Sequence, residues 1–165
     1  MFVVETVVNI DRPVPEVFDF VADMTNAPMW QAGLYLVQRT PPGPVRVGSE
    51  HVFERRFAGR TLKSRNRITG FHPPSRLAFE IPDGWISGRA AYEVTPTEAG
   101  SRVSCRMEFR ASGFGRLLEP LLAGILSHDS RRDDQRLKAV LENRPATATV
   151  PTTETTPHTS AAGHP

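Results

Sequence analysis

Polar side chains occur at positions where an apolar one is expected, in segments whose alternation is typical of β-strands. They are His51, Arg55, Ser64, Asn66 and Tyr92. Because alternate residues of a strand point to one face, these groups would project into an apolar core. They could orient the oxygens of a ligand there, since binding sites are mostly apolar with a few placed polar groups. A structural role, near strand ends or in hydrogen bonds to the backbone, stays open.

The same groups would also permit acid–base chemistry. His51 could exchange a proton near neutral pH, because an unperturbed histidine has a pKa of about 6.5. Tyr92 could donate to a ketone or enolate, and Arg55 could hold a carboxylate. Such a set would support an aldol-type cyclisation or dehydration. The residues permit this reaction without pointing to it specifically.

Metal binding and nucleophilic catalysis find no support in the sequence. His51, His72 and His128 are far apart on different elements, and no HExxH or His-x-His motif occurs, so we expect no metal. Cys105 is the only cysteine and alternates with apolar residues, which is typical of a thiol that acts as a small hydrophobe. The segment Gly113-Phe114-Gly115 lacks the lysine and the further glycines of a phosphate loop.

The composition predicts a single domain with one core. Apolar residues make up 39% of the 165, and no stretch approaches the roughly 18 apolar residues of a membrane span. The N-terminal segment lacks the basic start and apolar stretch of a signal peptide. The net charge is +2, and basic residues are dispersed among acidic ones, which argues against a nucleic-acid partner. A single cysteine excludes an internal disulfide and favours a reducing cytoplasm.

Hydrophobic periodicity predicts an α+β fold. A strand is followed by an amphipathic helix, for which Asp11 is the expected cap, and by a second short helical turn anchored by Trp30. Alternation with period two then continues to residue 110, and helical spacing continues to Glu142. The predicted strands span residues 3–10, 34–39, 48–57, 60–71, 77–81, 85–96 and 101–110, and the predicted long helix spans 120–142.

The two halves of this long helix differ in character. The first half is apolar on nearly all sides, so we expect it to be the more deeply buried half and to form the wall of a cavity. The second half is polar apart from Leu137, Val140 and Leu141. Asp129, Arg132 and Arg136 project in about the same direction as Ile125, and their spacing favours a solvated face over a cluster at a cavity mouth.

The last residues have a different composition. Residues 144–165 are rich in Pro, Thr and Ala, and Val150 is their only large apolar residue. Such a segment cannot bury enough apolar surface to offset the entropy lost on ordering. We therefore expect a disordered tail at 144–165 and a folded domain at 1–143.

The order of these elements and the residues at their joints resemble the START-like superfamily, and within it the polyketide cyclase/dehydrase and lipid-transport family, or SRPBCC. The resemblance covers Phe2 to Glu142. It is carried by Ile10-Asp11-Arg12-Pro13, the segment from Glu16 to Asp23, Trp30, Gly48, Pro73-Pro74-Ser75-Arg76-Leu77, Tyr92-Glu93-Val94-Thr95-Pro96, Gly100-Ser101-Arg102-Val103, Leu137-Lys138 and Leu141-Glu142.

This resemblance implies a helix-grip fold, in which a curved, seven-stranded antiparallel sheet wraps around the C-terminal helix and encloses a cavity. Members of the family bind lipids, sterols, polyketides or hormones, and a minority catalyse cyclisation or dehydration. The matched residues build the fold and include no catalytic signature.

We therefore expect a protein without a cofactor that binds a hydrophobic or amphipathic small molecule, lipid or polyketide-like, between sheet and helix. A polyketide cyclase/dehydratase-type enzyme and a non-catalytic accessory or partner protein are the alternatives. The small Gly88 and Ala90 would leave room in the cavity. The sequence does not indicate the oligomeric state. The residues expected to line the cavity are Trp30, His51, Phe53, Arg55, Phe57, Ser64, Asn66, Phe79, Gly88, Tyr92, Cys105, Met107, Phe114, Leu118, Leu121, Leu122 and Ile125.

Overall fold

The computed structural model describes residues 1–57, 59–82, 84, 86–113, 117 and 119–145, without the side chains of Phe57 and Leu122. Its elements follow the predicted order. They are β1 (Phe2–Ile10), α1 (Val14–Ala22), a 3₁₀ helix (Met24–Met29), β2 (Leu34–Thr40), β3 (Glu50–Phe57), β4 (Arg60–His72), β5 (Arg76–Ile81), β6 (Ile86–Pro96), β7 (Ser101–Ala111) and α2 (Glu119–Glu142).

The seven strands form one antiparallel sheet in the order β1-β7-β6-β5-β4-β3-β2. Strands β2 to β7 therefore pair with their neighbours in the chain, and β1 pairs with β7 at one edge. In β1 every second residue is buried, beginning with Phe2. The predicted α+β fold with a seven-stranded sheet and a C-terminal helix is confirmed.

Helix α1 begins at Val14, three residues after Asp11, which was expected to be its cap. Pro13 is the residue before α1, and no side chain caps the helix. The φ of −61° at Pro13 suits the entry into a helix, so the ring sets the start of α1. Asp11 is not the cap, and its backbone N–H donates to Glu142 Oε1 at 2.8 Å. The contact joins the start of α1 to the end of α2.

Helix α2 lies along the edge strand β1 and runs in the same direction. At its start, Glu119 pairs with the amino group of Met1. Near its end, Lys138 Nζ donates to the carbonyl of Asn9 at 2.8 Å. None of the helices in the described part of the chain is long and apolar enough to cross a membrane.

Burial along α2 is the reverse of the expectation. Leu137 and Leu141 are 0% exposed and belong to the main core with α1 and the sheet. Leu121 and Ile125 are 61% and 46% exposed, and Leu117, just before the helix, is 80% exposed. The prediction that the first half is the more deeply buried half is therefore wrong for these residues.

The reason lies in the side of α2 that meets the sheet. Ala123 and Leu126 pack against Phe2, Val4 and Phe109. A helix turns by about 100° per residue, so Leu121 and Ile125 lie well away from this contact side. An edge strand supports one side of a helix, and the apolar residues on the far side remain exposed.

Arg144 belongs with the folded part of the chain. Its guanidinium lies 4.8 Å from the centroid of the Phe20 ring, and its carbonyl accepts a hydrogen bond from Arg12. Arg144 is the first residue of the predicted tail. Residues 146–165, the rest of that predicted tail, lie outside the described residues.

Two truncations test this boundary. A chain ending at Pro145 should melt at the same temperature as the full chain. A chain ending at Asn143 loses the Arg144 contacts and should be less stable by roughly 1 kcal/mol, or about 4 °C. Thermal unfolding followed by circular dichroism measures both. A lower melting temperature for the chain that ends at Pro145 would mean that residues 146–165 dock on the domain.

Candidate functional site

The inward face of the sheet is closed at one end and open at the other. Along β4, Ile68 and Asn66 are buried, Ser64 is half-buried and Leu62 is 51% exposed. The same change occurs along β5, where Leu77 is fully buried and the last residue is half-buried. The residues at the open end are Arg55, Leu62, Ser64, Ile81, Ile86, Gly88 and Met107.

An aromatic cluster lies deeper on this face. The rings of Phe79 and Tyr92 stack with centroids 6.3 Å apart, and Trp30 meets Tyr92 edge-on at 6.3 Å. His51 and Phe53 form a second pair at 6.5 Å. These side chains are buried, as predicted. Their rings pack against one another in the two groups of contacts.

Four of the five predicted polar residues fall into two separate groups rather than one, and Ser64 belongs to neither. The first, the histidine group, consists of Asp23, Arg39, His51 and Asn66. Arg39 Nε–H donates to His51 Nε2 at 3.2 Å, and Asp23 pairs with the same arginine. Burial, with the positive charge of Arg39, lowers the pKa of His51 from 6.5 to about 4. The imidazole is therefore neutral at pH 7.

The second group, the aspartate group, consists of Arg55, Tyr92, Cys105, Asp133 and Asp134. Its two aspartates extend from α2, and its other members belong to β3, β6 and β7. Asp133 Oδ1 accepts from the backbone N–H of Ala32 at 2.9 Å, and Arg55 donates to Gln31 and Ala32 nearby.

Burial dominates the electrostatics of this group. It raises the pKa of Asp134 from 3.8 to about 6, and the negative charge of the neighbouring Asp133 adds to the increase. A side-chain hydrogen bond with Thr6 lowers the pKa and offsets part of this increase. Burial also raises the pKa of Cys105 to about 12 and that of Tyr92, and these two side chains share a hydrogen bond. Asp134 is thus the member of the group that can change charge near neutral pH.

Comparison with known proteins bears on this arrangement. Residues 1–142 match the family model described as polyketide cyclase / dehydrase and lipid transport. The chain belongs to that family. No curated protein matches the sequence significantly.

Solved structures share the fold at low sequence identity. TTHA0849 from Thermus thermophilus has a TM-score of 0.73 at 14% identity, over 85% of this chain and 97% of that one. The di-domain ARO/CYC BexL from the BE-7585A biosynthetic pathway has a TM-score of 0.70 at 19% identity, over 87% of this chain and 51% of that one. The protein Ara h 8.0201 has a TM-score of 0.66 at 12% identity, over 85% of this chain and 97% of that one. The family's helix-grip fold is thereby shown for this chain.

Not every predicted site residue of this family member lies where the sequence suggested. Leu121 and Ile125 line an open groove of about 380 Å³ on the outer side of α2, together with His128 and Asp129. They therefore lie outside the sheet–helix interface, and Ile125, the neighbour of Leu126, is nearer to it than Leu121. The side chains of Phe57 and Leu122, and the residues Phe114 and Leu118, lie outside the described part of the chain.

Gly88 allows β6 and β7 to lie close together, and its missing side chain does not enlarge a cavity. A Cβ at this position would lie 2.2 Å from the Glu108 carbonyl oxygen and 2.8 Å from Phe109 Cδ1. The interpretation that Gly88 leaves room for a ligand is wrong, because β7 already occupies that room. Any side chain there would push the two strands apart, so a substitution at Gly88 cannot test ligand binding.

The sequence reasoning missed Asp23, Arg39, Asp133 and Asp134. A signal for Asp134 was present, because it is three residues before Leu137 and shares the buried face of α2. On the other side of the helix, Asp129 and Arg132 are exposed, as a solvated face predicts. Arg136 donates to Asp133 Oδ1 at 3.0 Å. Among the described residues, no three His, Cys, Asp or Glu side chains are grouped as metal ligands.

Proposed function

We propose that this family member binds a hydrophobic or amphipathic small molecule, lipid or polyketide-like, between the sheet and the first half of α2. The observation that carries the proposal is the open end of the inward face. There, the apolar side chains of Ile81, Ile86 and Met107 are only half-buried. A ligand would cover these surfaces, and the gain in apolar burial would favour binding.

The chemistry of the lining supports a ligand that is mostly apolar with a few oxygens. The aromatic cluster and Met107 suit a flat or flexible apolar body. Arg55 and Ser64 at the open end, and the histidine group behind them, offer hydrogen bonds. The proposal includes neither a metal nor a nucleotide cofactor. The cytoplasm is the proposed location of the protein, because its single cysteine cannot form an internal disulfide.

A cyclase or dehydratase activity is the second candidate, and the aspartate group favours it. Asp134, with its pKa of about 6, could accept or donate a proton, and Arg55 could stabilise an enolate oxygen. The family description and the ARO/CYC neighbour BexL include such enzymes. Liquid chromatography with mass spectrometry distinguishes the two functions, because a dehydratase releases a polyketide lighter by one water, a cyclase releases an isomer of equal mass and different retention time, and a binding protein releases the polyketide unchanged.

The binding proposal is tested by a thermal-shift screen with fatty acids, sterols and aromatic polyketides, supported by native mass spectrometry of the purified protein. At least one compound should raise the melting temperature. Ser64→Phe should reduce that increase by more than half, because Ser64 is half-buried on the inward face at the open end.

Arg65→Phe is the matched control. Arg65 is the next residue of β4 and is exposed on the outer face of the sheet, so the same side chain there should leave the ligand effect intact. A broad screen without a hit would refute ligand binding. The partner-protein alternative would then take its place, with the exposed Leu117, Leu121 and Ile125 as the contact surface.

A further inference from the structure

Two buried polar atoms of the inward face have no hydrogen-bond partner. Within the described part of the chain, they are Nδ1 of His51 and Oδ1 of Asn66. The two residues are 0% and 4% exposed. They lie directly opposite each other on β3 and β4. Leaving a buried donor or acceptor unpaired is unfavourable, so each atom is a strong point of recognition for a group that can pair with it.

The neighbouring residues determine what each atom offers. Because Arg39 donates to Nε2 of His51, the neutral imidazole carries its hydrogen on Nδ1. Asp23 pairs with Arg39 and holds that arginine in place. His51 therefore presents an N–H donor, and Asn66 presents a carbonyl acceptor from the adjacent strand. Directly opposed residues in an antiparallel pair have Cβ atoms about 5 Å apart, so one small group can reach both.

A group that satisfies both atoms must accept one hydrogen bond and donate another. A hydroxyl does so. A carboxylate or ether oxygen accepts only, and an ammonium donates only, so each of these would leave one of the two atoms unpaired. We propose that His51 and Asn66 form a subsite that recognises a hydroxyl group, phenolic or alcoholic, of the ligand. This inference rests on the proposed binding function.

The subsite lies next to the open end. The following cross-strand pair in that direction is Phe53 with Ser64, and Ser64 is half-buried. A hydroxyl would therefore enter past Ser64, with a change of side-chain rotamer at Asn66 or Phe53. The ring of Phe53 meets His51 edge-on and would contact the apolar body attached to the hydroxyl. This placement matches a hydroxyl at one end of an aromatic or polycyclic ligand.

Three probes of similar shape test the subsite: 2-naphthol, 2-methoxynaphthalene and naphthalene. Isothermal titration of the full chain should show 2-naphthol binding about tenfold or more tightly than the other two, since pairing one further buried atom recovers about 1.4 kcal/mol or more. Asn66→Leu has a similar volume and no acceptor, so it should abolish the preference for 2-naphthol over 2-methoxynaphthalene, because both oxygens still accept from His51, while still binding naphthalene. Arg65→Leu, on the outer face of the same strand, should keep it.

Nuclear magnetic resonance of the wild-type chain gives a measurement that needs no variant. The Nδ1–H signal of His51 should shift on addition of 2-naphthol and stay in place with naphthalene. A signal that no probe moves would show that His51 pairs with Asn66 itself or with a trapped water, which overturns the subsite. Equal affinity for all three probes, or a preference for 2-naphthol over 2-methoxynaphthalene that persists in Asn66→Leu, would also overturn it and leave ligand binding intact. Failure of all three probes to bind would count against both proposals.

Discussion

Leu141→Ala is expected to lower the free energy of unfolding by about 2–5 kcal/mol, whereas Ile125→Ala should lower it by less than about 1 kcal/mol. Leu141 is 0% exposed and packs into the main core, so the shorter side chain loses apolar burial and leaves a cavity. Ile125 is 46% exposed and has fewer contacts to lose. Chemical denaturation of the two variants measures the difference.

For ligand binding the order of the two variants should be reversed, with the larger effect from Ile125→Ala. Ile125 is exposed beside Leu126, whose side chain packs on the sheet, so a ligand that extends from the open end along α2 would contact it, and Ile125→Ala should weaken or redirect the binding of a screening hit. Leu137→Ala repeats the buried position one helical turn away and should destabilise the protein as Leu141→Ala does. Leu121→Ala repeats the exposed position on the side of α2 opposite to the sheet and should leave binding unchanged. Equal destabilisation by Ile125→Ala and Leu141→Ala, with no effect on binding, would show that the first half of α2 packs as densely as the second.

The strands could be predicted from the sequence because their signal is local. Along β6 and β7, the pairing of Val94 with Val103 and of Ala90 with Met107 places alternate apolar residues on one face. A period of two fixes the face of each residue without reference to the rest of the chain. The inward positions of His51, Asn66 and Tyr92 followed from the same pattern.

The orientation of α2 could not be predicted in this way. Its first half is apolar on several sides, so the periodicity does not specify which side meets the sheet. That choice depends on tertiary contacts, such as those of Lys138 with Asn9 and of Glu119 with Met1, which place the helix on the edge strand. The exposed Leu121 and Ile125 are the consequence.

The polar groups of the site depend on residues that are distant in sequence. The tautomer of His51 is set by the hydrogen bond that Arg39 on β2 donates to it. Arg39 is held in place by its ion pair with Asp23, the residue before the 3₁₀ helix. Asp134 reaches Thr6 from the opposite end of the chain. A pattern of residue types can predict a buried histidine, but the partners of that histidine depend on how the strands and helices pack.

Asp134 and His51 are expected to have opposite effects on the pH dependence of stability. The pKa of Asp134 is 3.8 in an unfolded chain and about 6 in the folded protein, so between these values the folded carboxyl keeps a proton that the unfolded one has released. Its contribution to the free energy of unfolding therefore increases as the pH falls from 6 to 4. At about 1.36 kcal/mol per pH unit, the full effect is about 3 kcal/mol.

His51 acts in the other direction over almost the same range. Its pKa is lowered from 6.5 to about 4 on folding, so between these values the unfolded imidazole binds a proton that the folded one refuses. The contribution of His51 is present above pH 6.5 and is lost as the pH falls to about 4, again by about 3 kcal/mol. The two effects should largely cancel, so the stability of the wild-type chain should vary little between pH 6 and pH 4.

Single substitutions should expose each effect. Asp134→Asn removes the titrating carboxyl and can keep a hydrogen bond to Thr6, so it should be more stable than wild type at pH 7 by up to about 3 kcal/mol and should lose stability steadily toward pH 4. His51→Gln leaves Asp134 uncompensated and should gain stability toward pH 4. Urea unfolding at pH 7, 6, 5 and 4 measures the three profiles.

The half-buried Asp133 modifies these profiles without reversing them. Burial raises its pKa as well, so it acts in the same direction as Asp134. The Asp134→Asn profile should therefore be somewhat shallower than the effect of His51 alone. Parallel profiles for all three proteins would mean that both side chains reach water in solution, and the burial of His51 and Asp134 would then be incorrect.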